Sequence, residues 1–143
     1  MSTTPMEPAA FAALVRAASD EQLEAGLRAN HELILAGVFE AMPATFAGEH
    51  AAGLEAVAEW RVRVGDGPPA RWQVRMAGGT CSVERDGAAA PDVAYELGGV
   101  DFLRLVCGEV DGPQLFVTGR IHVEGDLVLA ARMPALFRTA RPA

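Results

Sequence analysis

The sequence predicts an α+β fold, in which a five-stranded, mostly antiparallel sheet has one face covered by helices and follows an N-terminal helical segment. Two observations predict it. Apolar residues recur at helical spacing up to about residue 47 and at alternate positions from residue 60 onward. Because the two periods occupy separate parts of the chain, we expect helices and strands to be segregated, which is typical of the α+β class.

The chain is interpreted as one domain spanning residues 1–143, a length that allows a buried core. We expect N-terminal helices at about 8–47 and the sheet with its covering helices at about 57–139. Half of the residues are hydrophobic and 22% are charged, as in an ordinary globular protein.

The N-terminal part carries two helical patterns. The first helix is indicated by Phe11, Leu14, Val15 and Ala18. Ser19 followed three residues later by Gln22 is a capping box, so a second helix is expected to begin near Asp20. Pro43 is expected to end or kink it. Its buried stripe consists of Leu27, His31, Ile34, Leu35, Val38, Phe39 and Met42.

Four strands are predicted between Trp60 and Leu97, separated by turns that include the tight Gly78–Gly79 connection. Strict alternation predicts one dry face and one wet face. The arginines and glutamates of the wet face are expected to form cross-strand ion pairs. With a fifth strand added, the dry face comprises Trp60, Val62, Val64, Trp72, Val74, Met76, Cys81, Val83, Val93, Tyr95, Leu97, Ile121 and Val123.

The segment after Leu97 predicts a crossover helix, the fifth strand and a closing helix. Asp101 is expected to cap the crossover helix, and the strand is expected at 120–124. Gly125 permits a tight turn, after which Asp126 is expected to cap the closing helix.

The composition excludes several classes of function. A formal net charge of −7 argues against a nucleic-acid partner. All 12 basic residues are arginine, which excludes lysine Schiff bases and Walker-type phosphate loops. Two distant cysteines, an N-terminus unlike a secretory signal (Met1–Pro8) and no apolar run of membrane-spanning length predict a cytoplasmic protein. Arg132, Arg138 and Arg141 are interpreted as a solvated helix end, with a weak contact to an anionic membrane as the alternative.

Catalytic motifs are missing from the sequence. It contains no GxSxG, HExxH or GxGxxG pattern, so we expect neither an enzyme nor a cofactor. The histidines His31, His50 and His122 are dispersed, which argues against a metal site. His31, within an apolar stripe, and Tyr95, on the dry face, are the candidate polar contacts for a ligand.

One set of landmarks resembles the sterol carrier protein-2 (SCP-2) family over roughly residues 57–137, and the N-terminal helices resemble those of its small stand-alone bacterial members. The landmarks are Trp60, the strand pair around Trp72 and Cys81, Asp101-Phe102-Leu103, Gly108, Phe116 and Gly119, Gly125-Asp126, and Leu136-Phe137. The resemblance implies an apolar cavity between sheet and helices that binds or carries a sterol, fatty acid or acyl-CoA type lipid without catalysis.

The expected partner is therefore a hydrophobic small molecule or lipid, with at most transient membrane contact and an oligomeric state that the sequence leaves open. Two alternatives remain: a small enzyme that acts on a hydrophobic metabolite through His31 and Tyr95, or a structural module whose interior is filled. The residues expected to line the cavity are Val38, Phe39, Met42, Trp72, Met76, Tyr95, Phe102, Leu105, Val106, Phe116, Leu127, Met133, Leu136 and Phe137.

Overall fold

A computed structural model describes residues 8–137 of the chain. Within this range the helices are α1 (Pro8–Ala17), α2 (Asp20–Thr45), α3 (Gly99–Val106), α4 (Gly112–Val117) and α5 (Leu127–Leu136). The strands are β1 (Ala56–Arg63), β2 (Ala70–Ala77), β3 (Thr80–Arg85), β4 (Val93–Gly98) and β5 (Ile121–Gly125). Residues 1–7, whose sequence is predicted not to be a secretory signal, and Arg138 and Arg141 of the predicted solvated helix end lie outside the described residues.

The five strands form one mixed sheet in the order β3-β2-β1-β4-β5. Strands β1 and β4 are parallel, and the other neighbouring pairs are antiparallel. The predicted α+β class and mostly antiparallel sheet are therefore confirmed. The parallel pair arises because β4 lies beside β1 instead of beside β3, which precedes it in the chain.

Alternation divides the sheet into the two predicted faces. On the dry face, Trp60, Val62, Val74, Met76 and Leu97 are buried. Helical residues from α2, α3 and α5 belong to the same core, including Leu35, Phe39, Phe102, Met133 and Leu136. Cys81 and Val83 are only half-buried, because β3 is an edge strand with a neighbour on one side.

The wet face contains a buried carboxylate, Glu59, whose side chain is 3% exposed. It accepts hydrogen bonds from Arg61 (2.6 Å), Arg71 (2.9 Å) and Gln73 (3.1 Å). Burial alone would raise the pKa of Glu59, but these hydrogen bonds outweigh it and lower the pKa to about 2. Gln73 also exchanges two hydrogen bonds with the backbone of Ala89, which fixes the loop between β3 and β4 over this face.

Several helix boundaries differ from the predictions. The α2 helix begins at Asp20 with the predicted capping box, but it continues past Pro43 to Thr45. Its non-helical residue is Asn30, with φ −151°. The α3 helix begins at Gly99, so Asp101 lies in its first turn, where it accepts a hydrogen bond from Arg120 instead of capping.

Two further corrections concern apolar residues. Leu14 is 56% exposed, because the face of α1 that packs inward carries Ala12 and Val15. Strand β1 begins at Ala56, four residues before Trp60, since the small residues Ala56 and Ala58 occupy the dry face there. Among the helices of residues 8–137, none combines the length and the apolar character needed to cross a membrane.

Candidate functional site

Three aromatic residues lie side by side across the centre of the dry face. The strand register places Trp60 of β1 opposite Trp72 of β2 on one side and opposite Tyr95 of β4 on the other. Neighbouring strands are about 4.8 Å apart, so this aromatic row (Trp72, Trp60 and Tyr95) spans roughly 10 Å. The alternating pattern directs all three side chains to the face that the helices cover.

Two phenylalanines from the helices pack on the aromatic row. The ring of Phe39 in α2 stacks on Trp72 with a centroid distance of 5.0 Å, and on Phe102 of α3 at 5.1 Å. Phe102 in turn meets Trp60 edge to face at 5.6 Å. Within the row, Trp60 and Tyr95 stack at 4.2 Å. The helices therefore close the row with aromatic rings, which pack favourably in these geometries.

The polar atoms of the aromatic row are buried without hydrogen-bond partners. This holds for Nε1 of Trp60 and Trp72 and for the hydroxyl of Tyr95. The three residues are 8%, 6% and 5% exposed, respectively. A buried donor without a partner costs about 1–3 kcal/mol, so most interiors avoid it. Burial raises the pKa of Tyr95, so its hydroxyl stays protonated and can donate.

The predicted cavity residues fall into three groups. Those buried in the core are Phe39, Trp72, Met76, Tyr95, Phe102, Met133 and Leu136. Those half-buried around it are Val38, Met42, Leu105, Val106 and Phe137. Phe116 and Leu127 point outward, with exposures of 57% and 62%. Trp60 also belongs to this site, although it is not among the residues expected to line the cavity; its alternation with Val62, which predicts that it lies on the dry face, is the signal that could have identified it.

The two candidate polar contacts occupy different environments. Tyr95 lies in the aromatic row, whereas the His31 side chain is 38% exposed and its Nε2 lies 3.4 Å from Glu32. Glu32 also accepts hydrogen bonds from Arg85, which lower its pKa. His31 therefore lies at the surface beside the Glu32–Arg85 ion pair.

Two surface pockets lie away from the aromatic row. The first, of about 310 Å³, is at the end of β1 and β4, where Arg63, Gly98 and Arg120 contribute to its lining. The second, of about 200 Å³, is on the wet face beside Gln73 and Arg75. Neither pocket is lined by any of the residues that the sequence predicts to line the cavity.

The two cysteine thiols are poor nucleophiles, and the described side chains form no metal site. Burial raises the pKa of both Cys81 and Cys107 to about 11, so neither thiol forms an appreciable amount of nucleophilic thiolate near neutral pH. Within the described part of the chain, no three side chains of histidine, cysteine, aspartate or glutamate are grouped so that they could hold a metal ion.

Comparison with known protein families gives one clear match. The model of the SCP-2 sterol transfer family matches residues 39–138, well over half of the chain. That range begins at Phe39, so it takes in the end of α2, the whole sheet and all of the aromatic row.

Two curated proteins are similar to parts of the chain. The peroxisomal multifunctional enzyme type 2 of Mus musculus is 26% identical over 84 residues, which are 58% of this chain and 11% of the mouse protein. The oleate-induced peroxisomal protein POX18 of Candida maltosa is 30% identical over 78 residues, which are 54% of this chain and 61% of that protein. The chain therefore spans less than two thirds of either relative.

Solved structures share the fold at low identity. The sterol carrier protein 2 of Yarrowia lipolytica has a TM-score of 0.56 and 20% identity over 67% of this chain and 77% of its own. A palmitated SCP2L2 from Aedes aegypti gives 0.54 and 18% over 73% of this chain and 96% of its own. The sec-alkylsulfatase Pisa1 from Pseudomonas sp. gives 0.66 and 14%, covering 79% of this chain but only 18% of the enzyme.

Proposed function

The chain belongs to the SCP-2 sterol transfer family, and on that premise we propose that it binds or carries one hydrophobic molecule between the dry face of the sheet and the helices. Family membership supports lipid binding or transfer in general. The proposed ligand is a lipid of the sterol, fatty acid or acyl-CoA type. The palmitate carried by the Aedes aegypti structure supports the choice of lipid, as a property of that protein.

The observation that carries this proposal is the set of unpartnered polar atoms of Trp60, Trp72 and Tyr95 on the dry face of the sheet. A core selected only for packing would use apolar groups at these three positions, because each buried donor without a partner lowers stability. A bound molecule with a polar group would supply the missing hydrogen bonds. The aromatic row is therefore the proposed centre of the binding site.

The energy available from apolar contact is sufficient. Burying ten methylene groups contributes about 8 kcal/mol at roughly 0.8 kcal/mol each. That gross value corresponds to an affinity on the order of micromolar before the costs of binding are subtracted.

Binding requires space that side chains now occupy. Phe39 and Phe102 lie against the aromatic row, so the ligand would take the place of one or both rings. Met133 of α5, which is buried in the same core, can adapt to such a change because its unbranched side chain has several rotamers. We propose that helices α2, α3 and α5 adjust around the ligand while the sheet stays fixed.

The test is displacement of a fluorescent fatty acid from the purified protein, combined with native mass spectrometry for co-purified lipid. We expect saturable binding in the micromolar range and displacement by palmitate or cholesterol. Phe39→Leu should change the affinity at least severalfold, because it alters the ring over Trp72. The matched control Val117→Ala, at a position 83% exposed, should leave the affinity unchanged.

Absence of both co-purified lipid and saturable displacement would contradict the proposal and favour a structural module with a filled interior. The enzyme alternative gains no support from His31, which lies at the surface beside Glu32 and away from the aromatic row. The two relatives with peroxisomal names leave the cytoplasmic location as a prediction. Fractionation of the source cells would test it.

A further inference from the structure

We propose that the first part of helix α2, residues 20–29, is a pivoting gate, and that a lipid enters the interior from the pocket at the end of β1 and β4 when Leu27 turns away from Gly99. This inference rests on the proposed function, because it names the route to the same site. It is carried by a core residue in the lining of that pocket, by the contact that closes the pocket, and by a break in α2 close to that contact.

The pocket reaches the core at Leu27. This side chain is 2% exposed and packs in the same core as Phe102, yet it also contributes to the pocket lining. Gly99, another lining residue, is the first residue of α3. Phe102 lies about one turn further along α3, roughly 5 Å along the helix axis, and meets Trp60 of the aromatic row at 5.6 Å. The floor of the pocket is therefore close to the aromatic row.

The second pocket offers no such route. It lies on the wet face of the sheet, beside Gln73 and Arg75. The strands themselves separate it from the core that the helices cover on the other face.

A contact between a leucine and a glycine closes the first pocket. A Cβ atom on Gly99 would lie 2.6 Å from Cδ1 of Leu27 and 3.3 Å from the carbonyl oxygen of Arg63. The Leu27 side chain therefore packs directly on the backbone where β1 ends and α3 begins. Because residue 99 has no side chain to interlock with it, withdrawal of Leu27 opens this contact.

The backbone is non-helical at both ends of the gate. Ser19, the N-cap, has ψ 164°, and Asn30, inside α2, has φ −151° and ψ 36°. Changes of φ and ψ at a few such residues absorb the rotation of a rigid segment, so Ser19 and Asn30 are suitable pivots. Rotation of the gate about its own axis moves Leu27 away from Gly99 and keeps the helical hydrogen bonds within the gate.

The part of α2 after the break is held more firmly than the gate. The buried residues of α2 are Leu27 in the gate, and Leu35 and Phe39 after the break. Glu32, also after the break, accepts a hydrogen bond of 2.6 Å from Arg85 of β3. The later part of α2 therefore stays on the sheet while the gate turns.

The ion pair at the start of the gate is compatible with this motion. Arg104 binds Asp20 at 2.6 Å, and the side chain of Asp20 is 68% exposed, so it has room to follow a rotation. The bonds from Arg104 to the backbone of Val15 and Ala18 lie before the first pivot, so they do not change.

The first experiment locks the gate with a disulfide. The double variant Leu27→Cys/Gly99→Cys places two thiols where a side chain now touches the backbone, so oxidation can join them. Stopped-flow mixing with a fluorescent fatty acid measures the rate of entry, and displacement by excess palmitate measures the rate of exit. We expect both rates to be roughly tenfold lower in the oxidised form than in the reduced form, because the gate cannot turn. The wild-type protein, treated in the same two ways, should show equal rates.

The second experiment reduces the side chain that closes the pocket. Leu27→Ala should raise the rates of entry and exit by roughly tenfold each, because opening then exposes less apolar surface. The affinity should change little, since the closed contact is weakened equally with and without ligand. The matched control is Leu35→Ala, a buried position of α2 that lies after the break and does not line the pocket, which should leave the entry rate nearly unchanged.

The outcomes separate this inference from the proposed function. If the fluorescent fatty acid does not bind to the wild-type protein, the proposed function fails and the gate fails with it. If it binds, and the oxidised and reduced double variants exchange it at the same rate, lipid binding stands and the gate is wrong. If the double variant does not fold or does not form the disulfide, as judged by circular dichroism and mass spectrometry, Leu27→Ala decides the question, and unchanged rates contradict the gate.

Discussion

Glu59 is a buried carboxylate that two arginines hold in its ionised form. Its carboxylate is almost fully buried on the wet face, yet it accepts three hydrogen bonds that hold its pKa at about 2. Two of the donors belong to Arg61 and Arg71, which stay 30% and 40% exposed. The carboxylate therefore stays ionised in the folded protein while water still reaches its partners.

Glu59→Gln should lower the free energy of unfolding by about 1–3 kcal/mol at neutral pH, because the hydrogen bonds from two arginines lose their charged acceptor. The pKa of Glu59 is lowered on folding from 4.5 to about 2. Between these values the unfolded chain binds more protons, so the contribution of Glu59 is complete above about 4.5 and lost as the pH falls towards 2.

Urea unfolding at several pH values measures this effect. The difference between the wild type and Glu59→Gln should shrink as the pH falls through that window. The control Glu84→Gln, at an exposed position on the same face, should change stability by less than about 0.5 kcal/mol. A difference that does not depend on pH would show that the charge of Glu59 is not the cause.

At the scale of the elements, the connections depend on how closely two backbones approach. Gly48 lies in the 3₁₀ turn after α2, where a Cβ atom would clash with the carbonyl oxygen of Gly79 in the β2–β3 turn. Gly37 lies in the interior of α2, and a Cβ there would meet no atom within 4 Å. The same substitution should therefore have opposite effects at these two glycines.

Gly48→Ala should destabilise the protein by about 1–3 kcal/mol, because backbone atoms must move to relieve the overlap. Gly37→Ala should stabilise it by roughly 0.5–1 kcal/mol, because alanine has the higher helix propensity and restricts the unfolded chain. Urea denaturation of both variants tests the pair. Equal effects in the same direction would contradict the prediction, because the backbone near Gly48 would then relieve the overlap without lowering the free energy of unfolding.

At the scale of the whole molecule, Arg104 of α3 joins the N-terminal helices to the rest of the fold. Its guanidinium binds Asp20 (2.6 Å) and Glu109 (3.0 Å). It also donates to the backbone oxygens of Val15 (3.3 Å) and Ala18 (3.1 Å). One side chain therefore fixes both the end of α1 and the start of α2 beside α3.

Arg104→Met should lower the free energy of unfolding by about 1–3 kcal/mol, because its carboxylate and carbonyl partners lose a charged donor. Hydrogen exchange should show lost protection in α1 and in the first turns of α2, with β1 unaffected. Arg28→Met is the matched control, since the Arg28–Glu24 pair is more than half exposed and worth little. Uniform loss of protection would contradict this prediction, because it would show that the N-terminal helices unfold only together with the sheet.

The sequence alone determined most of the elements, because their causes are local, but it predicted one crossover helix where the structure has both α3 and α4. Hydrophobic periods predicted the segregated helices and strands, and the caps at Ser19 and Asp126 lie where side-chain oxygens meet the first amides of α2 and α5. Two local rules did not predict what the structure shows. Pro43 did not end α2, and Asp101 pairs with Arg120 instead of capping α3.

Only the tertiary structure decided which strands are neighbours and which side chains meet. Strand order is a non-local property, so the sequence could predict that Trp60, Trp72 and Tyr95 share a face but not that they form one row. The rotation of a short helix is also set by what it packs against, which is why Phe116 and Leu127 point outward. The polar atoms left without partners emerge only from that packing, since hydrogen-bond satisfaction depends on atoms distant in the chain.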